Sequence, residues 1–349
     1  IQMMFGETPA TDITITGGNT FEVKVPSLTT FGDIPLSMTI HGVEMNMGGY
    51  AAFEILASPV ITSVETDNKF SSKAVQVGNT VTIKGTGFRN STISSATFGG
   101  QDLNYTVVSD TKITASVSEQ CAEGEDVITL KFDDVVVDVV SGDKLNMLKA
   151  GSDISDYILT NVKQPFESKE GKTSGHCTPV GWKFNYGAGN DGFCHNESEI
   201  EMPGEGLYMN DQGGLLVIQS GWEGRSKKMN GKMFQIFNIP QGIYDVVIDV
   251  AELATNGGGR KKAGLFISKG GEEQTPNMDA SGNWTENTNL LKSVDFYKLG
   301  ETYNENYKDR RFVIENLTID YEGETTLGFA VHFDSNRALK ISSIKVLLK

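Results

Sequence analysis

Three tryptophans, Trp182, Trp222 and Trp284, carry the most suggestive chemistry in this 349-residue chain. An indole face attracts the polarised C–H bonds of a sugar ring, while nearby polar side chains bond its hydroxyls. Trp222 opens a polar stretch containing Arg225 and Asn230, Trp182 has Tyr186 four residues on, and Trp284 follows Asn283. The candidate sugar platform is therefore Trp182, Trp222 and Trp284, with Tyr186, Arg225, Asn230 and Asn283 as hydroxyl partners. Packing in a core is the competing reading for each indole. For Trp222 the two stay open, whereas Trp284 lies in the most polar sequence and is expected to be exposed.

Other constellations have blander readings. His176-Cys177 and Cys194-His195 supply the residue types of a Cys₂His₂ zinc site. Adjacent strand residues point to opposite faces, however, and the zinc-finger spacing is missing. A disulfide closing the 16 intervening residues is simpler, with free thiols and metal as alternatives. Cys121 is then left unpaired and is expected to be buried. Gly187–Gly192 satisfies GxGxxG without a βαβ unit around it. Gly257-Gly-Gly-Arg-Lys-Lys262 lacks the Walker spacing and reads as a glycine-rich hairpin loop with solvated cations.

Carboxylates are plentiful, among them Glu197, Glu199, Glu201, Asp245, Asp249, Glu322 and Glu324. A glycosidase needs two of them aimed across one sugar at ~5–10 Å. Spacing along the chain cannot show such a pair, acidic surface residues are the default reading, and neither GxSxG nor HExxH occurs. The chain therefore reads as no enzyme and as needing no cofactor. Loop oxygens near Asp191 or Asp211 could hold a structural calcium ion, although no EF-type loop is present.

Charge narrows the partners. Lys and Arg number 30 against 45 Asp and Glu, a net of −15. The first 150 residues hold 9 basic and 18 acidic side chains, and the remainder 21 and 27. Both parts are acidic, which excludes nucleic acid and anionic membrane surfaces as expected partners. No apolar run approaches the ~18–20 residues of a spanning helix. Ile1–Gly6 has none of the regions of a signal peptide, so the chain is expected to be processed or to start inside a longer protein.

The elements that position these residues read as strands. Residues 1–148 alternate apolar and polar at Phe21–Val25 and Leu36–Ile40, the period of a half-buried strand. Val75–Val77 and Val81–Ile83 flank Gly78-Asn79, which predicts a two-residue hairpin. Phe5-Gly6, Thr11–Ile15 and Phe21–Val25 recur about 93 residues later as Phe98-Gly99, Tyr105–Val108 and Ile113–Val117. Pro59–Val64 and Val77–Phe88 precede only the later copy. Pro-x-Ile-x-Ser, Gly-Asn-Thr-Val-Thr-Ile-Lys-Gly-Thr-Gly-Phe and Phe-Gly-Gly resemble IPT/TIG immunoglobulin-like domains. The resemblance implies a C-terminal part of one such domain at 1–57 and a second at 58–148.

Residues 149–349 hold strand signals at 215–219, 233–237, 244–250, 264–268, 312–319, 326–333 and 339–348, separated by long polar loops. A jelly-roll or galactose-binding-like β-sandwich fits, with the loops as binding surfaces. Gly221-Trp222, Asn230–Gln235, Ile239–Tyr244, Thr325–Phe333 and Lys340–Val346 resemble the C-terminal domain of Bacteroidetes surface glycan-binding proteins from polysaccharide-utilisation loci. The resemblance implies a non-catalytic outer-membrane lipoprotein at the cell surface. It would capture polysaccharide or oligosaccharide for a neighbouring SusC/SusD-like, TonB-dependent transporter, touching the membrane only through an inferred lipid anchor. A β-sandwich glycoside hydrolase or lyase, or an adhesin for host glycoprotein, is the alternative.

Overall fold

In the computed structural model the chain is almost wholly β and divides into two compact units, Ile1–Leu148 and Lys149–Lys349. The structure describes all residues except 29–31, 49–51, 57, 134, 136, 170, 172–174, 177–178, 186–207, 210–213, 220–228, 256–260, 280–282, 297–306 and 334–336.

Within the first unit, residues 60–147 form an immunoglobulin-like sandwich. One sheet runs Asn104–Ser109, Lys112–Ser116, Thr80–Thr86, Val60–Thr66. The other runs Gln101–Asp102, Ile93–Phe98, Gly124–Phe132, Val139–Met147, Ala74–Val75, the last pair parallel. Alternation buries Val81, Ile83, Ile113 and Ala115 from one sheet against Ile128, Leu130, Leu145 and Met147 from the other. Cys121 is buried in this core with a free thiol. The predicted hairpin across Gly78-Asn79 is corrected. The turn exists, with Asn79 N–H donating to Gln76 O at 3.0 Å, but the strands on either side join different sheets. A tight turn therefore serves here as a corner of the sandwich.

The repeat reappears as matched pairings. Phe5 pairs with Thr8 and Phe98 with Gln101, across turns whose Gly6 and Gly99 take positive φ of 61° and 57°. Each turn is followed by a hairpin, Ile13–Gly17 with Thr20–Val23 and Asn104–Ser109 with Lys112–Ser116. The earlier hairpin stands as a two-stranded sheet, whereas the later one is extended by two further strands. The earlier core is correspondingly small, with Met3, Phe5 and Ile34 fully buried.

The second unit is built on eight strands, numbered here within that unit. They are β1 Leu216–Gln219, β2 Met229–Asn238, β3 Gly242–Thr255, β4 Lys261–Lys269, β5 Leu290–Asp295, β6 Tyr307–Ile319, β7 Glu324–Phe333 and β8 Arg337–Leu348. One sheet runs β1-β8-β3-β6 and the other β2-β7-β4-β5, all antiparallel. Short strands extend both sheets, Gly175–His176 and Tyr208–Met209 beyond β1 and Lys183–Asn185 beyond β2. Among the eight numbered strands, only β4 and β5 are consecutive partners within a sheet, and every other connection crosses between sheets. That order is the double Greek key of a jelly roll. A hairpin loop at 257–262 would join paired strands, but β3 and β4 lie in different sheets and Lys261 and Lys262 belong to β4; residues 256–260 lie outside the described residues.

Between the sheets, Phe296 bridges Phe312 at 4.7 Å and Phe329 at 6.2 Å. Met233, Leu265, Leu327 and Val331 surround Phe329, while Val246, Ile248, Ile341 and Ile344 are buried on the facing sheet. Residues 151–164 run beside the free edge of β8, with Ile154 N–H donating to Val346 O and Gln164 N–H to Ser342 O, both at 2.9 Å. This covers an edge that would otherwise be open to strand addition.

Candidate functional site

β7 is buried continuously from Thr325 to Phe333. A strand with one solvated face would alternate, so both faces of β7 are covered. Odd-numbered residues such as Phe329 face the other sheet. Even-numbered residues face outward, where Gly328 lies between its cross-strand partners Phe234 and Phe266 and Ala330 follows. Met278, from the 270–289 connection between β4 and β5, packs on Phe234, Phe266 and Ala330. That connection folds back over the outer face of the sheet.

Polar contacts fix it there. The Lys232 ammonium, buried on the outer face of β2, donates to Thr275 Oγ1 and to Asn277 Oδ1 at 3.1 Å. Asn277 and Thr285 exchange hydrogen bonds of 2.8 and 3.0 Å, and Met278 bridges to Trp284. The outcome is the placement of one indole. Half-buried Trp284 meets Phe266 edge-on at 6.0 Å, and the Asp295 carboxylate on β5 stands close to it. A Cβ on Gly264 would lie 2.7 Å from Trp284 Cζ2 and 2.8 Å from Val294 O. Only glycine leaves room for the ring at that point.

Asp295 and Gly264 are cross-strand partners, so the carboxylate stands beside the indole. Its surroundings raise its pKa above the ordinary carboxylate value. Partial desolvation is the largest cause, opposed by the Lys262 charge and by the neighbouring indole N–H, while the side chain itself is exposed on the edge strand of the sheet. Lys262, paired with His332 across the strands, brings a cation to the same face. The assembly offers an aromatic surface, a strong hydrogen-bond acceptor and a cation.

The sequence-derived residues fare differently. Trp284 occupies this face. Asn283 is exposed, but its backbone N–H and Nδ2 already donate to Asp279 at 2.8 and 3.2 Å, closing the turn that precedes Trp284. Asn230 lies on β2 opposite His332. Trp182 is corrected from platform to core. It is 3% exposed, stacks on Phe329 at 5.9 Å and 23°, and donates Nε1–H to Asn161 O at 3.1 Å. A ring enclosed in this way has no face for a sugar. Tyr186, Trp222, Arg225, Cys177, Cys194, Asp191, Asp211 and the Gly187–Gly192 motif lie outside the described residues.

Asp295, Lys262 and Gly264 were not singled out by sequence. Their signal is a cross-strand register, which no local pattern displays. Asp245 and Asp249 sit on β3 in the other sheet, in ion pairs with Lys349 at 2.8 Å and Arg311 at 2.7 Å. Among the described residues, no group of three or more His, Cys, Asp or Glu is placed to hold a metal ion.

The IPT/TIG domain family matches residues 59–140. No curated protein matches the chain. Similar solved structures include TmCBM61 in complex with β-1,4-galactotriose, at 15% identity over 49% of this chain and 90% of that one, TM-score 0.27. The Bacteroides ovatus mixed-linkage glucan utilisation locus protein SGBP-B, bound to a mixed-linkage heptasaccharide, aligns at 13% identity over 99% of this chain and 68% of that one, TM-score 0.23. The surface glycan-binding protein PbSGBP-B from Prevotella bryantii aligns at 12% identity over 99% and 90%, TM-score 0.22. Similarity at this level does not establish a shared fold, which rests here on the strand order.

Proposed function

We propose that this chain is a non-catalytic carbohydrate-binding protein whose jelly roll holds polysaccharide on the outer face of the β2-β7-β4-β5 sheet. One observation carries the reading: a half-buried indole is set over a glycine by residues of the connection between β4 and β5, with a carboxylate standing beside it. Holding a ring in one orientation lowers the ordering cost of binding and leaves polar groups to select hydroxyls. The sequence resemblance to surface glycan-binding proteins supports the same ligand class. On that resemblance, the segments 1–57 and 58–148 serve as immunoglobulin-like spacers. The protein then works at the cell surface on a lipid anchor, beside a SusC/SusD-like transporter of the TonB-dependent type.

Affinity electrophoresis of the full chain through gels containing a panel of polysaccharides tests the proposal. Retardation by at least one polymer, without release of reducing sugar, is the expected result. Release of reducing sugar would convert the reading to a hydrolase, and a lyase would betray itself by new ultraviolet absorbance of unsaturated products. Free migration through every gel would overturn it.

A further inference from the structure

Resting on the carbohydrate reading, we propose that the Trp284 site selects uncharged sugars and rejects uronic-acid polymers, with Asp295 as the selecting residue. A Cβ on Gly264 would lie 2.7 Å from Trp284 Cζ2 and 3.3 Å from Asp295 Oδ1, which places the carboxylate at the margin of the ring on which a sugar would lie. An ionised carboxylate offers several acceptor sites to incoming donors. A sugar hydroxyl is such a donor, and a hydroxyl-to-carboxylate bond is among the stronger hydrogen bonds available to a neutral ligand. A uronate stacked on the same indole brings a second carboxylate close to the first. Like charges at short range repel.

Lys262 is the counter-argument, since a cation could receive the uronate. Its charge, however, already acts on Asp295. The 21 basic and 27 acidic side chains after residue 150 also leave that part of the chain anionic, which adds long-range repulsion of a polyanion. Trp284 supplies stacking to either ligand, so the discrimination falls to Asp295.

The test titrates wild type, Asp295→Asn and Trp284→Ala with neutral polymers (galactan, xyloglucan and mixed-linkage β-glucan) and with polygalacturonate. Ionic strength is held at 0.15 M so that general polyanion repulsion is screened. Wild type is expected to bind a neutral polymer at least tenfold more tightly than polygalacturonate. Asp295→Asn is expected to lose about tenfold on the neutral polymer and to narrow the gap, because its amide repels no uronate. Circular dichroism and a thermal melt confirm that each variant is folded. Tight polygalacturonate binding by wild type, abolished in Trp284→Ala, would leave the carbohydrate reading standing and overturn the selectivity alone. Undiminished discrimination in folded Asp295→Asn would also overturn it. Failure of every polymer to bind would overturn both.

Discussion

The two sides of the β2-β7-β4-β5 sheet each hold a tryptophan, and each indole lies against a phenylalanine. Trp182, on the inner side, lies beside Phe329 and donates its N–H to a backbone carbonyl. Trp284, on the outer side, lies beside Phe266, with the Asp295 carboxylate next to it. The difference is what closes over them. Trp182 is only 3% exposed, with Asn161 bonded to its edge, whereas Trp284 is fixed by its own connection and half-buried. Aromatic character alone thus does not distinguish an enclosed indole from a half-buried one. The parity of the strand residues beneath the ring does. Odd-numbered β7 residues carry the large core side chains, while outward Gly328, Ala330 and Gly264 provide a shallow floor.

Substituting the inner residue should give the largest effect. Trp182→Ala removes a fully buried ring and leaves a cavity, and such changes cost about 3–5 kcal/mol. Urea unfolding of the full chain, followed at the second unit's transition, should show a loss of that order. A loss below about 1 kcal/mol would mean that the ring is not enclosed. Trp284→Ala should behave in the opposite way. Aromatic anchors in binding sites often contribute ~2 kcal/mol, a roughly thirtyfold change in affinity, and the half-buried ring contributes less to stability than its buried counterpart. Titration with any polymer that retards the wild type reads the first quantity, and a melt reads the second. Equal affinities would remove the platform from this face.

Gly264→Ala sharpens the comparison without removing an indole. The added methyl would overlap Trp284 Cζ2 and Val294 O, and overpacking of this kind costs about 1–3 kcal/mol. The ring has open space on its solvent side and should swing outward. Affinity is expected to fall about tenfold, with a stability loss near the low end of that range. If affinity stays constant while stability falls, the orientation of Trp284 does not matter to binding.

Much of the fold was legible because β alternation and repeated turn motifs are local signals. The strand runs, the all-β class and the Phe5/Phe98 repeat could be read directly. Strand partners could not. Gly78-Asn79 has hairpin chemistry but turns a corner, because the choice between pairing back and crossing over depends on where distant strands lie. The same holds for 257–262. Trp284 was singled out by its type and polar surroundings, and it is half-buried where exposure was expected. Trp182 was misread because a tryptophan four residues from a tyrosine looks the same in a core as on a platform. Asp295 was passed over among many acids, since its importance arises from a partner 31 residues away, Gly264.

The smallest predicted effect isolates the electrostatics of the outer face. Asp295 has a pKa raised by desolvation, so its charged form is disfavoured in the folded state relative to the unfolded chain. Stability tied to this group is therefore fully present below the unfolded carboxylate pKa, near 3.9, and is lost as pH rises through the folded value. Asp143, Asp245 and Asp249 shift the other way, lowered chiefly by hydrogen bonds from Lys73, Lys349 and Arg311, and they lose their contribution as pH falls. The wild-type profile alone mixes both signs. The difference between wild type and Asp295→Asn cancels the shared groups, because Asn keeps the shape and never ionises. At pH 7 Asp295→Asn should have the higher thermal midpoint, and the gap should close as pH falls below about 4. A gap of opposite sign at pH 7 would mean that attraction from Lys262 outweighs desolvation. The outer face would then hold its carboxylate as an ion-pair partner, like Asp249 on the opposite sheet, and not as a desolvated acceptor kept for a ligand.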